Sequence, residues 1–92
     1  MTRVRTARRP SPQTLLVLAV MAEDPRRTCY GRQLRLETGL GPGTVYPILR
    51  MLESRGWVAS TWEDVDPAVC GRPRRRLYRL TDEGIAEASP TA

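Results

Sequence analysis

The stretch GLGPGTVYPILRMLESRGW, residues 39–57, restricts the fold more than any other part of the chain. In its second half Val45, Ile48, Leu49 and Leu52 recur at i, i+3, i+4 and i+7, the spacing that gathers side chains on one face of a helix. Its first half holds Gly39, Gly41, Pro42 and Gly43, and Pro47 follows inside the apolar pattern. Proline lacks an amide hydrogen and clashes with the carbonyl four residues back, so a helix interior excludes it at a cost of about 3 kcal/mol. The first turn is the exception, because its amides have no internal partner anyway. A helix over residues 44–55 with Thr44 as its N-cap puts Pro47 in that first turn; a helix starting earlier needs a loosened one. Both versions give a stiff, narrow tip, bare of side chains at Gly41 and Gly43, whose exposed amides and dipole favour an anion. Gly56 closes the helix.

The rest of the chain is arranged around that helix. Residues 1–10 are basic and aperiodic and end in Pro10, which predicts a disordered N-terminal arm. Ser11 is a good N-cap with Pro12 just inside it, and QTLLVLAVMAE then predicts a helix up to Asp24-Pro25. That segment is apolar almost all round, so it is expected to be buried on most sides. Residues 28–38 predict a surface helix whose packed stripe is Tyr30, Leu34 and Leu36, capped by Gly39. Gly31 in its first turn predicts the close approach of another backbone. From Trp57 the period changes to two: WVASTWE and RRLYRL are strands, joined by EDVDPAVCGRP, a loop long for a hairpin. Thr81 caps a last short helix, with Asp82 and Glu83 suited to its dipole and Ser89-Pro90 to stop it. The fold class is therefore mostly α with a small β-hairpin: a winged helix-turn-helix (α-α-α-β-β-α) over residues 11–88, followed by a tail at 89–92.

The formal net charge is +5 and the pI about 10.2, and every basic residue is Arg. Codon usage alone can replace Lys by Arg, so placement says more than number. Arg3, Arg5, Arg8 and Arg9 form one acid-free cluster, and Arg72, Arg74, Arg75, Arg76 and Arg79 form another. Two such clusters point to a polyanion. On the 44–55 helix the side opposite the apolar stripe presents Pro47, Arg50 and Ser54, flanked by Tyr46 and Met51. Pro47 offers a flat apolar surface to a thymine methyl, Arg50 reaches a guanine edge or a phosphate, and the Tyr46 hydroxyl reaches a phosphate. In the wing, residues 63–76, Gly71 permits a bend and Pro73 stiffens it. Its arginines suit the minor groove or the phosphates beside it. Asp64 and Asp66 in the same loop are placed to pair with those arginines in the free protein. The bland readings are an ordinary Gly41-Pro42-Gly43 turn, Tyr46 as a rim residue of the core, and a solvated charged hairpin.

Several function classes are excluded by what the chain lacks. It has no His and only two Cys, Cys29 and Cys70, without a CxxC pair, so neither a metal site nor any other cofactor is expected. No nucleophile stands beside a base and no pair of carboxylates sits in a Gly-rich setting, so an enzyme is not expected. The thiols are expected to be reduced, in a cytoplasmic protein; a redox pair is the other reading. The longest apolar run, residues 15–22, is about a third of a membrane span and ends in acidic residues, so neither a membrane helix nor a signal peptide is expected. Duplex DNA is the expected partner. A winged helix that binds a larger regulator through Tyr46, Pro47 and Met51 is the alternative, and RNA binding would need an exposed aromatic platform that the pattern does not provide.

Three segments taken together resemble the PadR family of bacterial transcriptional regulators: YGRQL at 30–34, GPGTVYPILRMLESRGWV at 41–58 and GRPRRRLYRLTDEG at 71–84. With the helix before them they cover about three quarters of the chain. The resemblance implies a winged helix-turn-helix that represses, or else activates, a nearby gene by binding an operator as a dimer. It puts Thr44, Tyr46, Pro47 and Arg50 on the recognition helix, in the major groove, and Arg72, Arg74, Arg75 and Arg76 on the wing. Tyr30 is then expected near the DNA backbone. Family members pair through a longer helical segment after the motif LTDEG; here only residues 85–92 follow it, so the expectation is either a homodimer through the first helix and the N-terminal arm or a monomer or weak dimer.

Overall fold

The computed structural model describes residues 10–88 of the chain; the basic arm and the tail expected at its two ends lie outside them, apart from Pro10. Helix α1, Pro12–Ala22, starts where the sequence requires, with the Ser11 hydroxyl accepting from the Thr14 amide at 3.1 Å. It buries Thr14, Val17, Leu18, Val20 and Met21 against the other helices and the sheet. Burial on most sides, expected from its composition, is not what the fold provides. Leu15 and Leu16 remain 53% and 40% exposed, because the chain's other elements cover only one side of α1.

The expected second helix divides in two. Cys29–Tyr30 is a strand, β1, and helix α2 is Gly31–Thr38, with Tyr30 as N-cap and Gly39 in the left-handed C-cap conformation. A strand this short cannot display a period of two, so its sequence is indistinguishable from a helix start. Leu34 is buried, but Leu36 is 72% exposed, so the packed stripe is narrower than expected.

Helix α3, Pro42–Ser54, begins earlier than residue 44. Gly41 is its N-cap, and its carbonyl accepts from the amides of Thr44 and Val45 at 3.1 and 3.0 Å. Pro42 at the first position carries the φ a helix needs and lacks an amide that would be unpaired there. The cap role expected of Thr44 therefore passes to Gly41, and Pro47 lies inside the helix. The missing amide would have bonded the Gly43 carbonyl, four residues back. Gly56, at φ 80°, ends the helix as expected.

Strands β2, Val58–Trp62, and β3, Arg76–Leu80, pair antiparallel with Ser60 opposite Tyr78. β1 adds to the other edge of β3, Cys29 opposite Tyr78, so the expected hairpin is one part of a three-stranded sheet ordered β1-β3-β2. The loop between β2 and β3 contains a helical turn, α4, Pro67–Cys70, capped by the Asp66 side chain. Helix α5, Asp82–Ala88, follows β3 directly.

Val17, Leu34, Val45, Leu49 and Leu52 are fully buried, with Val58, Leu80 and Cys29 sealing the core from the sheet side. The LTDEG segment locks α5 in place. Leu80 enters the core, while the Thr81 hydroxyl donates to the Gly56 carbonyl at 2.7 Å and accepts from the Gly84 amide at 3.0 Å. A Cβ on Gly84 would overlap the Trp57 carbonyl, so the chain crosses itself there with room for glycine alone.

Candidate nucleic-acid interface

Three elements build the candidate surface: α3, the start of α2 and the base of the wing. By burying Val45, Ile48, Leu49 and Leu52, α3 turns Gly43, Pro47, Arg50 and Ser54 outward, all of them exposed. Arg50 forms no salt bridge among the described residues, so its guanidinium is available. Thr44 is half-buried. Because α3 starts at Pro42, its tip is a weaker anion seat than expected: Pro42 has no amide hydrogen, and the next amides after Gly43 are already bonded to Gly41.

Tyr46 spans the distance from α3 to α2. A Cβ on Gly31 would overlap its ring, so the close approach expected at Gly31 is made by this side chain and not by a backbone. The Tyr46 ring is thereby held upright between the helices. Beside it opens a cleft of about 170 Å³, lined by Tyr30, Arg32, Tyr46, Arg75, Arg76 and Tyr78. The Arg75 guanidinium lies 4.3 Å above the Tyr30 ring, and that of Arg76 lies 5.0 Å from the Trp62 ring and 3.9 Å from Glu53. Burial pushes the Tyr78 phenol above its ordinary pKa, with Glu53 and Tyr46 adding to the rise and the nearby Arg76 and Arg50 opposing it.

Of the residues singled out in the sequence, Tyr30, Tyr46, Arg75 and Arg76 meet in this cleft. Thr44, Pro47 and Arg50 lie on α3, which supplies Tyr46 to it, whereas Arg72 and Arg74 are engaged within the wing. Arg32 and Tyr78 were missed. The signal for Tyr78 was available, since alternation along RLYRL puts it on the same face as Arg76; Arg32 had none beyond its place next to Gly31.

In the wing the acids behave differently from expectation. Neither Asp64 nor Asp66 forms a salt bridge there; Asp66 caps α4, and Glu63 is the acid that pairs with Arg72. The Glu63 carboxylate accepts from both Arg72 terminal nitrogens, at 2.7 and 3.1 Å, and from the Arg75 amide at 3.2 Å. The Arg72 hydrogen bond, with help from the Arg75 amide, holds its pKa below the usual carboxylate range. Arg74 donates through Nε to the Val65 carbonyl at 2.9 Å. Both cysteines are free thiols: Cys29 is buried, which raises its pKa, and Cys70 is exposed. Among the described residues no helix is long and apolar enough to cross a membrane.

Similar folds are found among solved structures of bacterial proteins. The PadR family transcription regulator from hypervirulent Clostridium difficile R20291 aligns with a TM-score of 0.69 at 24% identity, over 85% of this chain and 80% of that one. The protein smu.1704 from Streptococcus mutans UA159 aligns at 0.68 and 26% identity, over 88% of this chain and 76% of that one. The PcaV transcriptional regulator from Streptomyces coelicolor aligns at 0.71 and 23% identity, over 88% of this chain but 52% of that one, so this chain spans about half its length. No curated protein sequence matches the chain. The model of the PadR-like family of transcriptional regulators matches residues 17–89, which takes in the second half of α1, the helix-turn-helix, the wing and α5, and the chain belongs to that family.

Proposed function

We propose that the chain is a sequence-specific double-stranded DNA-binding regulator that represses transcription in the cytoplasm, with residues 11–88 as its DNA-binding domain. α3 enters the major groove, where Arg50 reads a base edge and Pro47 packs against a thymine methyl. The wing lies along the minor groove or the phosphates, to which Arg74, Arg75 and Arg76 bring their charge. Tyr30, Thr44 and Tyr46 face the backbone between these two contacts. The observation that carries this reading is the cleft in which Tyr46 of α3 and the arginines at the wing's base stand together, next to an exposed α3 face whose Arg50 forms no salt bridge among the described residues. A duplex that touches one of these elements touches the other. We assign no catalytic step and no cofactor to the chain.

Selection of bound duplexes from a random pool, followed by titration at graded salt, tests this. About six phosphate contacts give a slope of log affinity against log salt near −5. An affinity that does not change with salt rules the reading out. Arg50→Ala is expected to cost about 1–3 kcal/mol on the selected duplex and less on a random one. Equal losses on both would assign Arg50 to a phosphate.

One observation favours a second reading. Trp62, Pro67 and Pro73, together with the charged Glu63, Asp64 and Arg74, line an open cavity of about 900 Å³ on the wing, and Trp62 and Val69 are 60% and 82% exposed. A winged helix that docks on a larger regulator could use such a surface. In that case the arginines of the cleft are dispensable, and the salt titration separates the two.

A further inference from the structure

We propose that Glu63 is a positioning residue for DNA binding and that Arg72 acts through it, as a strut, and not on the DNA. This assignment rests on the DNA-binding reading above. It concerns the acidic side chain that pairs with Arg72 in the wing, which by charge alone ought to weaken the grip on a polyanion.

The hydrogen bonds at the neck of the wing carry the inference. The Glu63 amide donates to the Arg75 carbonyl at 2.8 Å, and the Arg75 amide donates back to Glu63 Oε1 at 3.2 Å. The two backbones are thus tied twice, once through main chain and once through the carboxylate. On its other side the same carboxylate takes both terminal nitrogens of Arg72, a forked pairing that fixes its plane. Arg72 also donates to the Pro73 carbonyl at 3.1 Å, so it braces the returning strand from within. Its side chain is a third exposed and that of Glu63 less than a fifth, so the pair is set into the neck and not spread over the surface. The residue held by this tether is Arg75, whose guanidinium stacks on Tyr30 at the mouth of the cleft. A flexible loop would have to order that arginine at the moment of binding; a tethered one presents it already in place, and ordering costs are what preorganisation removes.

Charge and position predict opposite signs, which makes the test decisive. Glu63→Ala raises the net charge by one and, were charge all that mattered, would tighten binding to every duplex. As a positioning residue, its loss weakens binding to both the selected duplex and a random one of equal length, by about tenfold at fixed salt. Glu63→Gln keeps an acceptor for the Arg75 amide and is expected to recover most of that loss. A double-mutant cycle then addresses Arg72. If Arg72 works through Glu63, Glu63→Ala with Arg72→Ala binds no worse than Glu63→Ala alone; losses that multiply make Arg72 an independent DNA contact and overturn the strut. Tighter or unchanged binding by Glu63→Ala overturns the positioning role. Should Glu63→Ala lose its circular dichroism signal, Glu63→Gln decides instead: binding tighter than wild type sinks the proposal, and binding equal to or modestly weaker than wild type supports it. Wild-type protein that binds neither duplex removes the DNA reading itself, an outcome distinct from all of these.

Discussion

Two residues of α3 and α2 show stability given up for shape. Pro47 interrupts the hydrogen-bond ladder inside α3, at a position where the Gly43 carbonyl would otherwise be paired. Nothing in the core asks for it, since its side chain is exposed. Pro47→Ala should therefore stabilise the fold, by roughly 1–3 kcal/mol in denaturant unfolding, while lowering affinity for a selected duplex. A variant that is both more stable and equally good at binding would leave Pro47 without a function. Gly31 makes the complementary case. Its missing Cβ is the space that the Tyr46 ring fills. Gly31→Ala must displace that ring or the start of α2, and overpacking of this kind costs about 1–3 kcal/mol. Thermal unfolding measures the loss, and a Gly31→Ala protein as stable as wild type would show that Tyr46 moves freely. Neither role was visible in the sequence alone: Gly31 announced a close approach but pointed to a backbone where a side chain stands, and Pro47 fitted a first turn that the structure starts sooner.

At the level of elements, legibility followed the length of the pattern. α1 and α3 carry caps and several turns of apolar spacing, and both lie where the residues put them, with α3 displaced only at the end that holds competing glycines and prolines. β1 and α4 were invisible because two and four residues are too few for a period to register. The wing was legible in its arginines and misread in its acids. Asp64 and Asp66 stood closer to the centre of the loop and looked the better partners, but Glu63 leaves the end of β2 on the line where β3 begins, so pairing of the strands delivers it to Arg72 and Arg75. A carboxylate stabilised in its charged form titrates low, and the sign follows from that. The folded-state pKa lies below the unfolded one, so the tether's contribution is present above the ordinary glutamate range and is lost as pH falls through the lowered value. Carboxyl-detected NMR should give Glu63 a midpoint beneath that of an unperturbed glutamate, and Arg72→Ala should return it toward the ordinary value. An unchanged midpoint in the variant would mean that the fork is not formed in solution.

Across the whole molecule, the bare face of α1 is one of the exposed apolar regions among the described residues. Leu15 and Leu16 are exposed on a helix that has no charged residue from Pro12 to Ala22, an expensive arrangement for a surface that meets only water. α1 packs its opposite side on α2, α3 and α5, so a second copy held on the exposed side would set the two α3 helices at a fixed spacing. We propose this face as the contact between two copies. Half-sites about 34–36 Å apart would then make the preferred duplex a palindrome. The prediction is that Leu15→Asp with Leu16→Asp gives a monomer by light scattering. Its affinity for a single half-site should match wild type, while its affinity for a palindrome should drop by the factor that linking two sites confers, about a hundredfold or more. Wild-type protein that is already monomeric and selects a single half-site would assign the leucines to another partner and leave the cleft, which one copy completes alone, as the whole of the DNA-binding surface.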